Sequence, residues 1–282
     1  MIEVDIKENT FQNKYTATYE LSILVGMDSF VYMITNARQE LLALKSVNVL
    51  SQSIYSFTSA LDKIIEEHPL LKDNYSYIRL GFSHGIFSIV PNRLFNERES
   101  KLLVDSLLIN GAKNDEVLVN PIPSLSIQNV HTIPTGLMEW ISKNFNAART
   151  FHLSTALITG FKATNKAKND FNLLVYFEKN KLSSILFEGN TFLLANSNTF
   201  VSSKDALYYI LFIYEHYELS PASVPLYLAG EVHATSELYQ LLFKYIKHLQ
   251  FVDAPGFVFP GEKSRQMEMH PFFGVFSIYK CG

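Results

Sequence analysis

Apolar and polar positions group into short blocks from early in the chain. Residues 21–25, 30–34 and 40–49 are three extended apolar runs, parted by Gly26-Met27-Asp28-Ser29 and by Thr35-Asn36-Ala37-Arg38. Short runs bounded by turn residues predict a three-stranded antiparallel meander. Across 53–67 the period changes, and Ile54, Phe57, Leu61, Ile64 and Ile65 recur at helical spacing up to Pro69, which cannot continue the ladder. Residues 75–82 and 86–90 then read as two strands of a hairpin around Ser83-His84-Gly85. A helix is predicted over 96–109 with Leu102, Leu103 and Leu107 on one side, closed by Asn110-Gly111. Residues 117–120 and 124–131 are extended around Pro121 and Pro123. Pro134-Thr135 opens a helix bearing Leu137, Trp140, Ile141 and Phe145, and 151–161 reads as a strand.

The polar stretch 162–170 is the clearest loop and places a domain boundary, giving a first lobe at 1–165 and a second at 166–282. Beyond it the opening order returns. Strands at 172–177, 182–187 and 191–195 alternate with turns at Glu178-Lys179-Asn180 and Glu188-Gly189-Asn190. A helix over 202–217, a strand at 225–229, Gly230 and a helix over 236–249 follow. The two halves therefore repeat an architecture without repeating their wording. The tail 272–281 sets apolar pairs about every third residue and reads as a buried helix.

Composition narrows the class. With 282 residues, 48% hydrophobic and 18% charged, the chain can bury a sizeable core, and neither disorder nor a disulfide scaffold is expected. A net charge of -3 without a dense Lys/Arg run argues against a nucleic-acid partner. Cys281 is the single cysteine, so intramolecular disulfides and thiolate metal centres are excluded. Residues 1–14 lack the apolar core of a secretory signal, which points to the cytoplasm. The longest apolar stretch, 206–214, falls short of the roughly 20 residues of a membrane span, so no membrane insertion is expected.

A meander, helix, strand and helix, repeated around a cleft, resembles the actin-like ATPase (ribonuclease H-like) superfamily, whose members include actin, sugar kinases and bacterial division and pilus assembly proteins. The segment Tyr77-Ile-Arg-Leu-Gly-Phe-Ser-His-Gly-Ile-Phe-Ser-Ile-Val-Pro91, then Leu94-Phe95-Asn96-Glu97, and the ending His270-Pro-Phe-Phe-Gly-Val-Phe-Ser-Ile, resemble an uncharacterised bacterial family of that fold. The resemblance implies an α/β class of duplicated lobes, each a mixed sheet with a three-strand meander and flanking helices. It also implies phosphate sites at two meander turns, where backbone N–H groups beside a carboxylate hold an anion and its cation. In this sequence those turns hold Asp28 and Glu178. The first has its glycine and acid in reversed order, and the second has no glycine and two lysines. On the adenosine side the paired glycines reduce to Ala229-Gly230-Glu231, and Glu231 opposes a polyphosphate. The expectation is a non-catalytic binding or scaffolding protein with degenerate nucleotide turns, no cofactor and no metal, and with Asp28 and Glu178 as solvated turn residues. A protein partner or self-association is expected. The alternative is an ATP- and Mg-binding switch or ATPase using Asp28, Glu178, Gly230 and Glu231.

Other motifs carry less. Gly81-Phe82-Ser83-His84-Gly85 matches the G-x-S-x-G nucleophile elbow, with Asp105 or Asp115 and His131 or His152 as conceivable partners, but an elbow needs a helix at once and 86–90 alternates. Residues 256–264 imitate a P-loop, yet Glu262 interrupts Gly261 and Lys263. His216 and His233 have no ligand partner at helical spacing, so no metal site is expected. Tyr208, Tyr209, Phe212, Tyr214 and Tyr217, with Tyr239, Phe243 and Tyr245, crowd two helices and are assigned to the core ahead of a surface for a second protomer.

Overall fold

Residues 3–49, 53–100, 102, 115–164, 170–254 and 256–282 are described by a computed structural model. The first meander is β2 (Glu20–Val25), β3 (Ser29–Thr35) and β4 (Leu41–Asn48), flanked by β1 (Asp5–Lys7); α1 (Ile54–Glu67) leads to β5 (Tyr77–Phe82). Every residue of β3 and all but the first of β2 are buried, which is why these strands read as continuous apolar runs instead of alternating ones. With β9 (Arg149–His152) they form one sheet in the order β1-β4-β3-β2-β5-β9, in which β2, β5 and β9 run parallel.

The second half repeats this plan. Here β10 (Phe171–Glu178), β11 (Lys181–Glu188) and β12 (Thr191–Thr199) are the meander, α4 (Ser203–His216) crosses over, and β13 (Leu226–Gly230) and β14 (Leu249–Phe251) add in parallel. The order β12-β11-β10-β13-β14 matches β4-β3-β2-β5-β9 position for position. A third sheet, β6 (Phe87–Pro91), β7 (Asp115–Ile122) and β8 (Ile127–Pro134) in the order β6-β8-β7, is inserted between β5 and β9. After it comes α2 (Thr135–Asn144), which packs against α1.

Three expectations are corrected here. Residues 151–161 are not a strand: only Arg149–His152 is extended, and α3 (Leu153–Thr164) follows. Leu153 to Ile158, Gly160 and Phe161 are all buried, the polar Ser154 and Thr155 included, since both hydroxyls accept from the Asn129 amide inside the protein. The strands on either side of Ser83-His84-Gly85 are not a hairpin, since β5 pairs with β2 and β9 while β6 pairs with β8. The helix placed over 236–249 stops at Tyr245 as α5 (Glu237–Tyr245), and 249–251 becomes an edge strand. Most of the helix placed over 96–109 lies outside the described residues, as does most of the loop 162–170.

The central layer is made by α3 and by α7 (Phe273–Tyr279), which follows the short α6 (Glu262–Gln266). Leu24, Val31 and Met33 of the first sheet and Leu174, Tyr176, Ile185 and Phe187 of the second share one buried cluster with Leu157 and Phe161 of α3 and Phe273, Val275 and Phe276 of α7. Phe273 to Ile278 are buried in succession, the helix expected of the tail. Gly160 allows the close approach of α3 and α7, because a Cβ at that position would run into Ser277. Arg79 fastens the far end: its guanidinium bonds the Glu20 carboxylate at 2.6 Å and the Cys281 carbonyl at 2.8 Å, between the rings of Tyr77 and Tyr279.

Helix starts follow their caps. The Ser236 hydroxyl accepts from the Tyr239 N–H at 3.2 Å and closes the first turn of α5. Ser236→Ala should lower stability by about 1 kcal/mol in urea unfolding, with an unchanged slope.

Candidate functional site

Parallel strands β2, β5, β10 and β13 all point their carboxyl ends the same way in their sheets, and ligands of open α/β sheets bind at such ends. At these ends lie the β2–β3 turn with Asp28, the segment Ser83–Gly85, the β10–β11 turn with Lys179, and Gly230-Glu231. The backbone is tightly drawn. Gly26 donates to the Ser29 carbonyl at 2.8 Å, Ser83 N–H to Val25 at 3.1 Å, and Glu231 N–H to Phe177 at 2.8 Å. Gly230 has φ +77°, and a side chain there would collide with the Phe177 backbone, so the glycine is required by both conformation and space.

The expected site residues do come together, and they face one another. Lys179 sits between two acids: its N–H donates to Glu231 Oε2 at 3.1 Å and its ammonium lies 3.8 Å from Asp28 Oδ2. Glu178 departs from expectation. It is 6% exposed instead of solvated, because the first hairpin covers it. Burial pushes its carboxyl up to about 7, against the Lys181 ammonium, the Ser83 hydroxyl and the Met27 N–H, which face it and favour the charge. Burial also raises Asp28, with Glu231 adding repulsion and Lys179 opposing it. Lys181 is lowered by burial, and its ammonium donates to the Ser83 carbonyl at 3.0 Å.

Both candidate phosphate turns thus have a carboxylate of this chain packed against them. Glu178 Oε1 packs against Gly26 of the first turn, and Lys179 N–H of the second donates to Glu231. Three carboxylates gathered on two ammonium groups form a site that disfavours a further polyanion. Beside them opens a cavity of about 540 Å³ lined by Ser83, His84, Phe87, Lys181, Asn196 and Asn198.

The elbow chemistry is not assembled. Ser83 is 1% exposed and beside Glu178, and the chain continues into β6 without a helix. His131 and His152 are buried behind Phe82, each with its ring centroid 5.6 Å from that phenyl ring. Burial lowers His84 and His131 to about 4 and holds His152 well below its ordinary value, so the three rings are neutral near pH 7. Asp115 opens β7, whereas Asp105 lies outside the described residues. Gly261 of the P-loop-like stretch abuts the Glu8 carboxylate, which is no place for an anion.

Two features escaped the sequence. His233 is not isolated: the fold brings it to Glu268 and His270. The aromatic helices are core on one face only, for Ile210 and Tyr214 are buried while Tyr208, Phe212, Phe243 and Tyr245 are 52–64% exposed.

Residues 8–249 match a family described as "Protein of unknown function (DUF3822)". The chain belongs to this family. A DUF3822 protein of this kind has the actin-like ATPase fold, as its likeness to solved structures shows. A Bacteroides thetaiotaomicron protein described as having an actin-like ATPase fold and unknown function aligns with TM-score 0.76 at 23% identity, over 86% of this chain and 94% of that one. A chain of the "PilM-PilN type IV pilus biogenesis complex" aligns with TM-score 0.62 at 14% identity, over 93% and 97%. The ethanolamine utilization protein EutJ from Carboxydothermus hydrogenoformans aligns with TM-score 0.50 at 8% identity, over 94% and 90%. None of the curated proteins compared matches the DUF3822 chain. Among its described residues no helix is long and apolar enough to cross a membrane.

Proposed function

We propose that this chain is a non-catalytic, cytoplasmic binding or scaffolding protein, whose actin-like lobes engage a protein partner or a second copy instead of turning over a nucleotide. The observation that carries the reading is that carboxylates of this chain occupy both turns: Lys179 N–H donates to Glu231, and Glu178 is buried against Gly26 of the first turn. A triphosphate must displace the Glu231 carboxylate from the Lys179 N–H and then sit among three acids, since the Asp28 carboxylate is 3.8 Å from the same Lys179 ammonium. Neither step is offset by a glycine-rich nest, for the second turn has none. A protein partner is supported by the exposed aromatic side chains Tyr208, Phe212, Phe243 and Tyr245. The complex named for the PilM relative supports the same reading.

The test is thermal unfolding with ATP and Mg²⁺. A ligand at a hundred times its dissociation constant stabilises by about 2.7 kcal/mol, roughly 5–10 °C for a chain of this size. The expected result is no shift and no release of phosphate. A shift of that size, lost in Asp28→Ala, would instead establish the nucleotide-binding reading with Asp28, Glu178, Gly230 and Glu231.

A further inference from the structure

On the second sheet, the loop after β13 and the segment before α7 bring three metal-ligating side chains to one point. His233 belongs to the first, Glu268 and His270 to the second, and one donor atom from each lies within 4.8 Å of the others. His233 Nδ1 is 4.0 Å from Glu268 Oε2, and the two imidazole centroids are 6.4 Å apart. From this geometry we propose that His233, Glu268 and His270 bind a divalent first-row transition-metal ion of the zinc class, with water at a fourth position.

The buried histidine is already oriented for that role. His270 is 3% exposed, and its Nε2 is 2.8 Å from the Val232 carbonyl. A carbonyl can only accept, so the neutral ring carries its proton on Nε2 and its lone pair on Nδ1. Tying one imidazole nitrogen to a backbone carbonyl is how proteins fix the tautomer and raise the basicity of a ligating histidine. Phe251 stacks on the same ring at 4.0 Å between centroids, which prevents it from turning.

The remaining two ligands supply the adjustment. A tetrahedral zinc ion with bonds of about 2.0–2.1 Å needs donor atoms about 3.3 Å apart, so the cluster must contract slightly. His233 and Glu268 have side chains 46% and 63% exposed, free to swing onto an ion held first by His270. Two imidazoles and one carboxylate suit zinc and its neighbours, whereas magnesium and calcium prefer an all-oxygen shell. Bound metal would clip the loop after β13 to the segment that runs into the central helix α7. The inference is independent of the phosphate turns.

The test uses the untagged full chain after chelator treatment. Calorimetric titration with Zn²⁺ is expected to give one equivalent, and saturating Zn²⁺ to raise the melting temperature by roughly 5 °C, whereas Mg²⁺ at the same concentration leaves it unchanged. Co²⁺ should give the visible absorption of a four-coordinate ion. His233→Ala and Glu268→Gln change exposed side chains, and both should melt like the wild type in chelator. Each should weaken Zn²⁺ binding by about tenfold or more. Failure to take up one equivalent overturns the proposal, as does uptake that both variants leave unaltered.

Discussion

Phe276→Ala should lower stability by about 4 kcal/mol, in the range found when a fully buried aromatic ring is deleted from a core that relaxes only in part. Phe276 is wholly buried in α7, with the rings of Phe257 and Phe259 at 4.8 and 6.1 Å. The loss falls in the layer shared by both sheets, so one region cannot collapse to fill the space without moving the other. For a chain of this size the melting temperature should fall by roughly 10 °C. Phe212→Ala provides the contrast: that ring is 52% exposed on α4, and its removal should change stability by no more than about 0.5 kcal/mol. If the two variants melt alike, α7 does not form the centre of the molecule.

Glu178→Gln should stabilise the protein at alkaline pH and do little near pH 5. The folded carboxyl titrates at about 7 against an ordinary 4.5, so the folded state holds a proton that the unfolded state has released. A raised pKa gives stability that is complete below about 4.5 and is lost as pH climbs through 7, to an extent of about 3 kcal/mol. Glutamine keeps the shape and stays neutral. The buried histidines work in the opposite direction. His84, His131 and His152 have depressed values, so their contribution is present above 6.5 and is lost as pH falls. The variant-minus-wild-type difference, measured by urea unfolding from pH 5 to 8.5, cancels the histidines and isolates Glu178. A glutamine variant that is the less stable protein at pH 8 would mean that the buried carboxylate is a net asset.

The duplicated sheet order was legible because each meander places apolar runs between short turns, and both faces of β2, β3, β10 and β11 are covered. The same burial hid α3. A helix buried on nearly every side, with Ser154 and Thr155 among its buried residues, does not sort apolar from polar positions into a clean 3.6-residue period, and the run after Arg149 reads as extended. The resemblance places Asp28, Glu178, Gly230 and Glu231 at one site, but Glu178 is buried against the first hairpin, whose Gly26 is far from it along the chain. His233 shows why some chemistry cannot be read linearly. Its companions Glu268 and His270 arrive by way of a strand edge and an irregular segment, with no spacing that a motif records.

The position of α7 sets a timetable for synthesis. The helix that fills the middle of the molecule is translated after both sheets, so the inner surfaces of β2 and β3 wait for it while the intervening chain is made. At about 5–20 residues per second that interval is on the order of tens of seconds, during which Leu24, Val31 and Met33 lack their final cover on the ribosome. Assembly must therefore close from the outside inward, with the keystone threaded in at the end.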